Sequence, residues 1–115
     1  MKEDKKNLIV ELTFNFALKI IEYAEILENN RKYSMANQLI RCGTSIGSNV
    51  RGAQSAESKA DFVHKLKIAD KESEETDYRL QLCNRSKNYP PCSDLVEDLG
   101  HVKRVLGKII SSSKK

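Results

Sequence analysis

Between Ser58 and Lys87 the apolar and small residues fall at Phe62, Leu66, Ala69, Ser73, Thr76, Leu80 and Cys83, in alternating steps of four and three. That spacing draws one stripe along an α-helix, whereas a strand would scatter the same residues over both of its faces. Ser58 with Asp61 three residues on gives the helix a start resembling a capping box. The stripe is large at its ends and small in its middle, so a neighbouring element must come close at Ala69, Ser73 and Thr76.

The same rule divides the rest of the chain. "NLIVELTFNFALKIIEYAEILENN" carries Ile9, Leu12, Phe16, Ile20, Tyr23 and Leu27, with a second stripe beside it at Val10, Phe14, Ala17, Ile21 and Ala24. A face that wide predicts burial on two sides and some self-association. Asn29 and Asn30 end this helix, and Ser34 is a candidate N-cap for the next. A second helix follows on Leu39, Cys42, Ile46, Val50 and Ala53. "NYPPCSD" stops the third helix, and Ser93 or Asp94 caps a fourth built on Leu95, Leu99, Val102, Leu106 and Ile109. The expectation is an all-α chain with helices at about 7–29, 34–54, 58–87 and 93–111 in one domain, 1–115. Short connections favour an up-and-down antiparallel four-helix bundle, with the tail "SSSKK" frayed.

One domain of 115 residues holds a single modest core and has no interdomain cleft. No apolar run approaches the roughly 18 residues of a membrane span, and "MKEDKKN" lacks the apolar centre of a signal peptide. The expected location is the cytoplasm, with no membrane partner. Cys42, Cys83 and Cys92 have no CxxC spacing and read as small buried hydrophobes. Asp61 with His64 and Asp98 with His101 have the spacing of di-metal bundles, but His64 falls on the far side of its helix from Phe62. No metal, no cofactor and no catalytic residue is expected.

"RCGTSIGSNVRGAQ", Arg41 to Gln54, poses the sharpest question. Gly47 and Gly52 have the interval of a phosphate-binding loop, but Ala53 and Gln54 stand where Lys and a hydroxyl residue are needed. The apolar stripe also runs straight through the segment. It reads as a helix thinned at Gly43 and Gly47 for close packing, with the small middle of the third helix as the expected partner. The hydroxyls of Thr44, Ser45, Ser73 and Thr76 then need partners, for which Gln38, Asn49 and carboxylates of the third helix are candidates.

The formal charge is +4, and the basic residues lean toward the second half of the chain. From Arg79 to the end, Arg79, Arg85, Lys87, Lys103, Arg104, Lys108, Lys114 and Lys115 outweigh Asp94, Glu97 and Asp98. Lys67 and Lys71 make a one-turn pair on the third helix, like Arg104 and Lys108 on the fourth. This asymmetry suits a surface that faces phosphates. Arg41 lies between Ile40 and Cys42 and is expected to bridge to Glu72 or Glu75 rather than to contact phosphate.

"QLIRCGTSIGSNVRGAQSAESKADFVHKLKIADKESEETDYRL", together with "FNFALKII", resembles the four-helix-bundle proteins encoded by intervening sequences in bacterial 23S ribosomal RNA genes, also called the S23 ribosomal protein family. Gln38, Arg41, Ser45, Ile46, Asn49, Ser58, Phe62, Ile68, Ala69, Glu72 and Glu75 match signature positions, with Gly43 and Gly47 inside the motif. An acidic residue is usual in the family where this chain has Arg51-Gly52, and an aromatic where it has Arg79. The resemblance implies a ring-like homopentamer without enzymatic activity. It extends to the accessory protein of diversity-generating retroelements, a basic pentamer that binds nucleic acid and a reverse transcriptase.

Two functions follow as expectations. The first is a non-enzymatic homopentamer that binds structured RNA or DNA through Lys67, Lys71, Arg79, Arg85, Lys87, Lys103, Arg104 and Lys108. Five copies at +4 would carry +20 (5 × 4), so weak contacts would add. The second is a protein-interaction scaffold that recruits a nucleic-acid enzyme such as a reverse transcriptase.

Overall fold

The computed structural model describes residues 2–113, with side chains from Leu8 onward. Four helices follow one another: α1 Lys2–Asn29, α2 Tyr33–Ala53, α3 Lys59–Arg85 and α4 Ser93–Ser113. Each packs on its two chain or spatial neighbours, α1 on α2 and α4, α3 on α2 and α4. Among the described residues the diagonal pairs do not meet, so the helices stand at the corners of a square, in an elongated body of 45 × 21 × 18 Å. This is an all-α four-helix bundle.

The heptad stripes supply the core. Leu39, Cys42, Ile46 and Val50 of α2 are fully buried, as are Leu66, Ala69, Ser73, Thr76, Leu80 and Cys83 of α3 and Leu99 and Leu106 of α4. Ile9, Phe16, Ile20, Tyr23 and Leu27 line the buried side of α1. The second stripe of α1 behaves differently. Ala24 is buried and Val10 and Ala17 are half-buried, but Phe14 and Ile21 stay exposed. Burial on two sides is therefore incomplete within one chain.

The turns explain where the helices begin. Ser34 is not the cap of α2: Lys32 holds that position without a side-chain hydrogen bond. Lys32 N donates to Leu27 O at 2.8 Å and Arg31 N to Glu28 O at 2.9 Å, with Arg31 in the left-handed region at φ 63°. This pattern closes α1 and starts α2 before Ser34 is reached. At α3 the expected cap is present, with Asp61 N donating to Ser58 Oγ at 3.0 Å and Glu57 N to Asp61 Oδ2 at 3.1 Å. At α4 neither Ser93 nor Asp94 precedes the helix. Its first turn closes on the Cys92 carbonyl, which accepts from Leu95 N at 3.0 Å and Val96 N at 3.2 Å. Asn84 Oδ1 in turn accepts from Cys92 N at 2.8 Å, and Tyr23 Oη donates to Pro90 O at 2.7 Å, pinning the α3–α4 turn.

All three cysteines are free and buried, and burial raises each thiol's pKa, that of Cys83 to about 11. They are unreactive packing residues at neutral pH.

Candidate nucleic-acid interface

The thinned helix comes first, because it decides what α2 can offer a ligand. Residues 41–53 of the glycine-bearing segment are continuous α-helix, so its amides are spent on the helix rather than presented to a phosphate. The glycines do not face α3 as expected. A Cβ on Gly43 would lie 2.9 Å from Cγ1 and Cγ2 of Ile20, and one on Gly47 would lie 3.3 Å from Oγ1 of Thr13. Both neighbours belong to α1. Of the hydroxyls, Ser45 Oγ accepts from Asn49 Nδ2 at 3.1 Å as expected, while Thr44 Oγ1 donates to Ile40 O, Ser73 Oγ to Asp70 O and Thr76 Oγ1 to Glu72 O, backbone carbonyls of their own helices, at 2.5–2.7 Å. Backbone carbonyls one turn earlier are always in reach, so no cross-helix partner is required.

Four of the signature residues, Gln38, Arg41, Ser45 and Asn49, follow one edge of α2, and Arg41 carries that edge across to α3. Arg41 pairs with Glu75, donates to Gln38 Oε1 at 3.2 Å, and stands 3.8 Å from the buried Oε1 of Glu72. Burial pushes the Glu75 carboxyl up, but Arg41 and Arg79 outweigh it and hold the pKa below the usual carboxylate value. One turn along, Asn49 Nδ2 donates to Ser45 O at 2.9 Å and to Ser45 Oγ at 3.1 Å. The expected bridge from Arg41 is present. With its side chain 53% exposed, it is a solvated strap and lacks the energetic weight of a buried pair.

Two of the eight basic candidates are committed to the bundle itself. Arg79 Nε lies 3.4 Å from Glu75 Oε2, in the same cluster as Arg41. Lys103 reaches from α4 to Glu74 at 3.1 Å and Asp77 at 3.3 Å on α3. Burial lowers the Lys103 pKa, and the two carboxylates more than reverse this. The Glu75–Arg79 pair has the i, i+4 spacing that a helix makes visible in sequence, whereas the partners of Lys103 sit on another helix.

The other six, Lys67, Lys71, Arg85, Lys87, Arg104 and Lys108, are exposed, and among the described residues none forms an ion pair. The Lys103 bridge fixes the antiparallel register of α3 and α4. Lys108 therefore stands near the height of Lys71, with Arg104 one turn away at the level of Glu74 and Lys67 one turn away toward the other end, all on one half of the bundle. The glycines of α4 keep that surface low: nothing lies within 4 Å of where a Gly107 Cβ would be, and Arg104 Nη1 lies 3.4 Å from that point at Gly100. Arg85 and Lys87 belong to the opposite end. Lys114 and Lys115 lie outside the described residues.

The aspartates of the two carboxylate–histidine pairs have other work. Asp61 caps α3 and binds Lys65 at 2.7 Å, contacts that hold its carboxyl pKa low. Asp98 binds Lys19 of α1 at 2.6 Å. Among the described residues no group of three or more His, Cys, Asp or Glu converges on a metal position. No helix is long and apolar enough to cross a membrane. Sequence reading missed Tyr78 and Leu82, which are exposed between the basic residues of α3 and are apparent only once its buried stripe is known.

A four-helix bundle with a thinned second helix and an Arg41–Glu72–Glu75 strap is the class of protein this geometry defines. The chain belongs to the 23S rRNA-intervening sequence protein family, whose model matches residues 5–108. It is similar to the crystal structure of a protein of unknown function from the S23 ribosomal protein family of Bacteroides thetaiotaomicron. The two share 36% identity, with 93% of this chain and 98% of that chain covered, at a TM-score of 0.88. No curated protein sequence matches the chain significantly.

Proposed function

We propose that this protein is a non-enzymatic, homopentameric bundle that binds structured RNA or DNA through the basic surface shared by α3 and α4. The observation that carries the reading is the presence of Lys67, Arg104 and Lys108 along the same half of the bundle, exposed and free of ion pairs among the described residues. Neighbouring Glu74 is paired with Lys103. Ammonium and guanidinium groups on a smooth helix face suit phosphate oxygens, and each phosphate neutralised releases counterions. A ring repeats the cluster and multiplies weak contacts into useful affinity.

The test is fluorescence anisotropy of a labelled ribosomal RNA hairpin and an unrelated duplex, titrated at several salt concentrations. The expected result is binding whose log affinity falls steeply with log salt, with a slope reduced by about two in an Arg104→Ala/Lys108→Ala variant. Absent or salt-insensitive binding overturns the nucleic-acid reading and leaves a protein scaffold as the role to examine.

A further inference from the structure

Two outward helix faces carry matching patterns of opposite sign. On α1, Glu11, Leu18 and Glu25 are exposed at seven-residue intervals; on α3, Lys71, Tyr78 and Arg85 are exposed at the same intervals. Seven residues advance an α-helix by about 10.5 Å and return it to nearly the same face, so each pattern is a straight line of charge, apolar group, charge. Leu18 is 48% exposed and Tyr78 66%, with Phe14 and Ile21 widening the apolar centre on α1 and Leu82 on α3. Apolar groups of this size, left uncovered in a row, mark an interaction surface.

We propose that copies of this chain join head to tail, the α1 face of one against the α3 face of the next, with Glu11 opposite Lys71, Leu18 against Tyr78 and Glu25 opposite Arg85. The inference rests on the assembly part of the function proposed above and specifies its interface. Charge decides against pairing like with like. Two α1 faces crossing antiparallel at Leu18 would set Glu11 against Glu25, and two α3 faces would set Lys71 against Arg85. Only the mixed pairing places opposite charges together at both ends, which gives register and partner choice more than raw affinity.

The position of the two faces then selects the form of the assembly. α1 and α3 occupy diagonal corners, so their outward faces point in opposite directions and each copy has a free face after the first contact. In an up-and-down bundle they also run the same way, as a rotation between copies requires. Lys19 binds Asp98 of α4, and Lys103, little more than one turn further along α4, binds Glu74 and Asp77 of α3. Leu18 and Tyr78 thus lie at nearly the same height along the bundle. A heterologous contact between opposite faces at equal height carries each copy sideways with little climb along the bundle axis, so copies stand side by side in one layer, and the angle made at each contact sets whether the row closes. Lys71 and Arg85 then face the next copy, and Lys67, Arg104 and Lys108 remain for phosphate.

The experiment is light scattering coupled to size-exclusion chromatography at micromolar protein, with circular dichroism confirming helicity. The wild type is expected at a multiple of 13.1 kDa. Glu11→Lys/Glu25→Lys and Lys71→Glu/Arg85→Glu are each expected to fall to the monomer mass, and the fourfold variant that combines them to recover the wild-type mass. A wild-type monomer would overturn assembly itself. An assembled wild type whose mass ignores either double reversal, or a fourfold variant that stays monomeric, would overturn this interface while leaving assembly by other faces intact.

Discussion

The two seams of α2 hold by different means. Toward α1, the helix has shed its side chains at Gly43 and Gly47, and Ile20 and Thr13 fill the space against its backbone. Toward α3, it keeps full-sized Leu39, Cys42, Ile46 and Val50 in the core and adds a charged strap, Arg41 with Glu75 and Glu72, at the rim. The first seam depends on shape. The second has a solvated edge and depends on ionisation there. Mutations, salt and pH should therefore separate them.

The largest effect is expected at the glycine seam. Ile20→Ala leaves a void opposite a residue that has no side chain to collapse into it, and should cost about 3 kcal/mol in denaturant unfolding. Gly43→Ala gains helix propensity but pushes a methyl group against two carbons of a buried isoleucine, for a net loss of about 1–2 kcal/mol. In the Ile20→Ala background the same glycine change should become harmless or favourable. Strict additivity in that double-mutant cycle would show that the two residues do not share one space. The turn that feeds this seam offers a gain instead: Arg31→Gly relieves a left-handed non-glycine residue and should raise stability by about 0.5–1 kcal/mol, readable as a higher melting temperature.

The strap should give the smallest and most conditional effect. Arg41→Ala is expected to weaken the bundle slightly in low salt and not measurably in 1 M salt, where exposed pairs are screened. Its pH dependence has a definite sign. The Glu75 pKa is lower in the folded chain than its ordinary value of 4.5, so its contribution is present above that value and is lost as pH falls through the folded one. Acid titration of stability should show this loss in the wild type and a diminished one in Arg41→Ala. Equal acid sensitivity in the two proteins would remove the strap from the account.

The candidate interface divides along the same line between what is local and what is not. Lys67 with Lys71 and Arg104 with Lys108 were legible because one-turn spacing makes them neighbours whatever surrounds the helix. Arg79 and Lys103 were misread as free cations. Glu75, one turn before Arg79, was legible by the same rule, while Glu74 and Asp77 are brought to Lys103 only by the packing of α3 on α4. Arg41 with Glu72 and Glu75 was anticipated because the two acids sit on one edge of α3, within reach of any helix packed beside it.

The sequence by itself determined four helices, their buried stripes, the Ser58 cap and the burial of three thiols, because periodicity and capping are properties of a few turns of chain. Only the tertiary structure decided which helix fills the glycine notch of α2, how Lys32 and Cys92 come to begin helices in place of Ser34, Ser93 and Asp94, and which apolar residues of α1 are left uncovered. Those outcomes depend on which faces meet. A stripe states that a face must be buried, but the identity of what covers it is settled by four helices competing for one core.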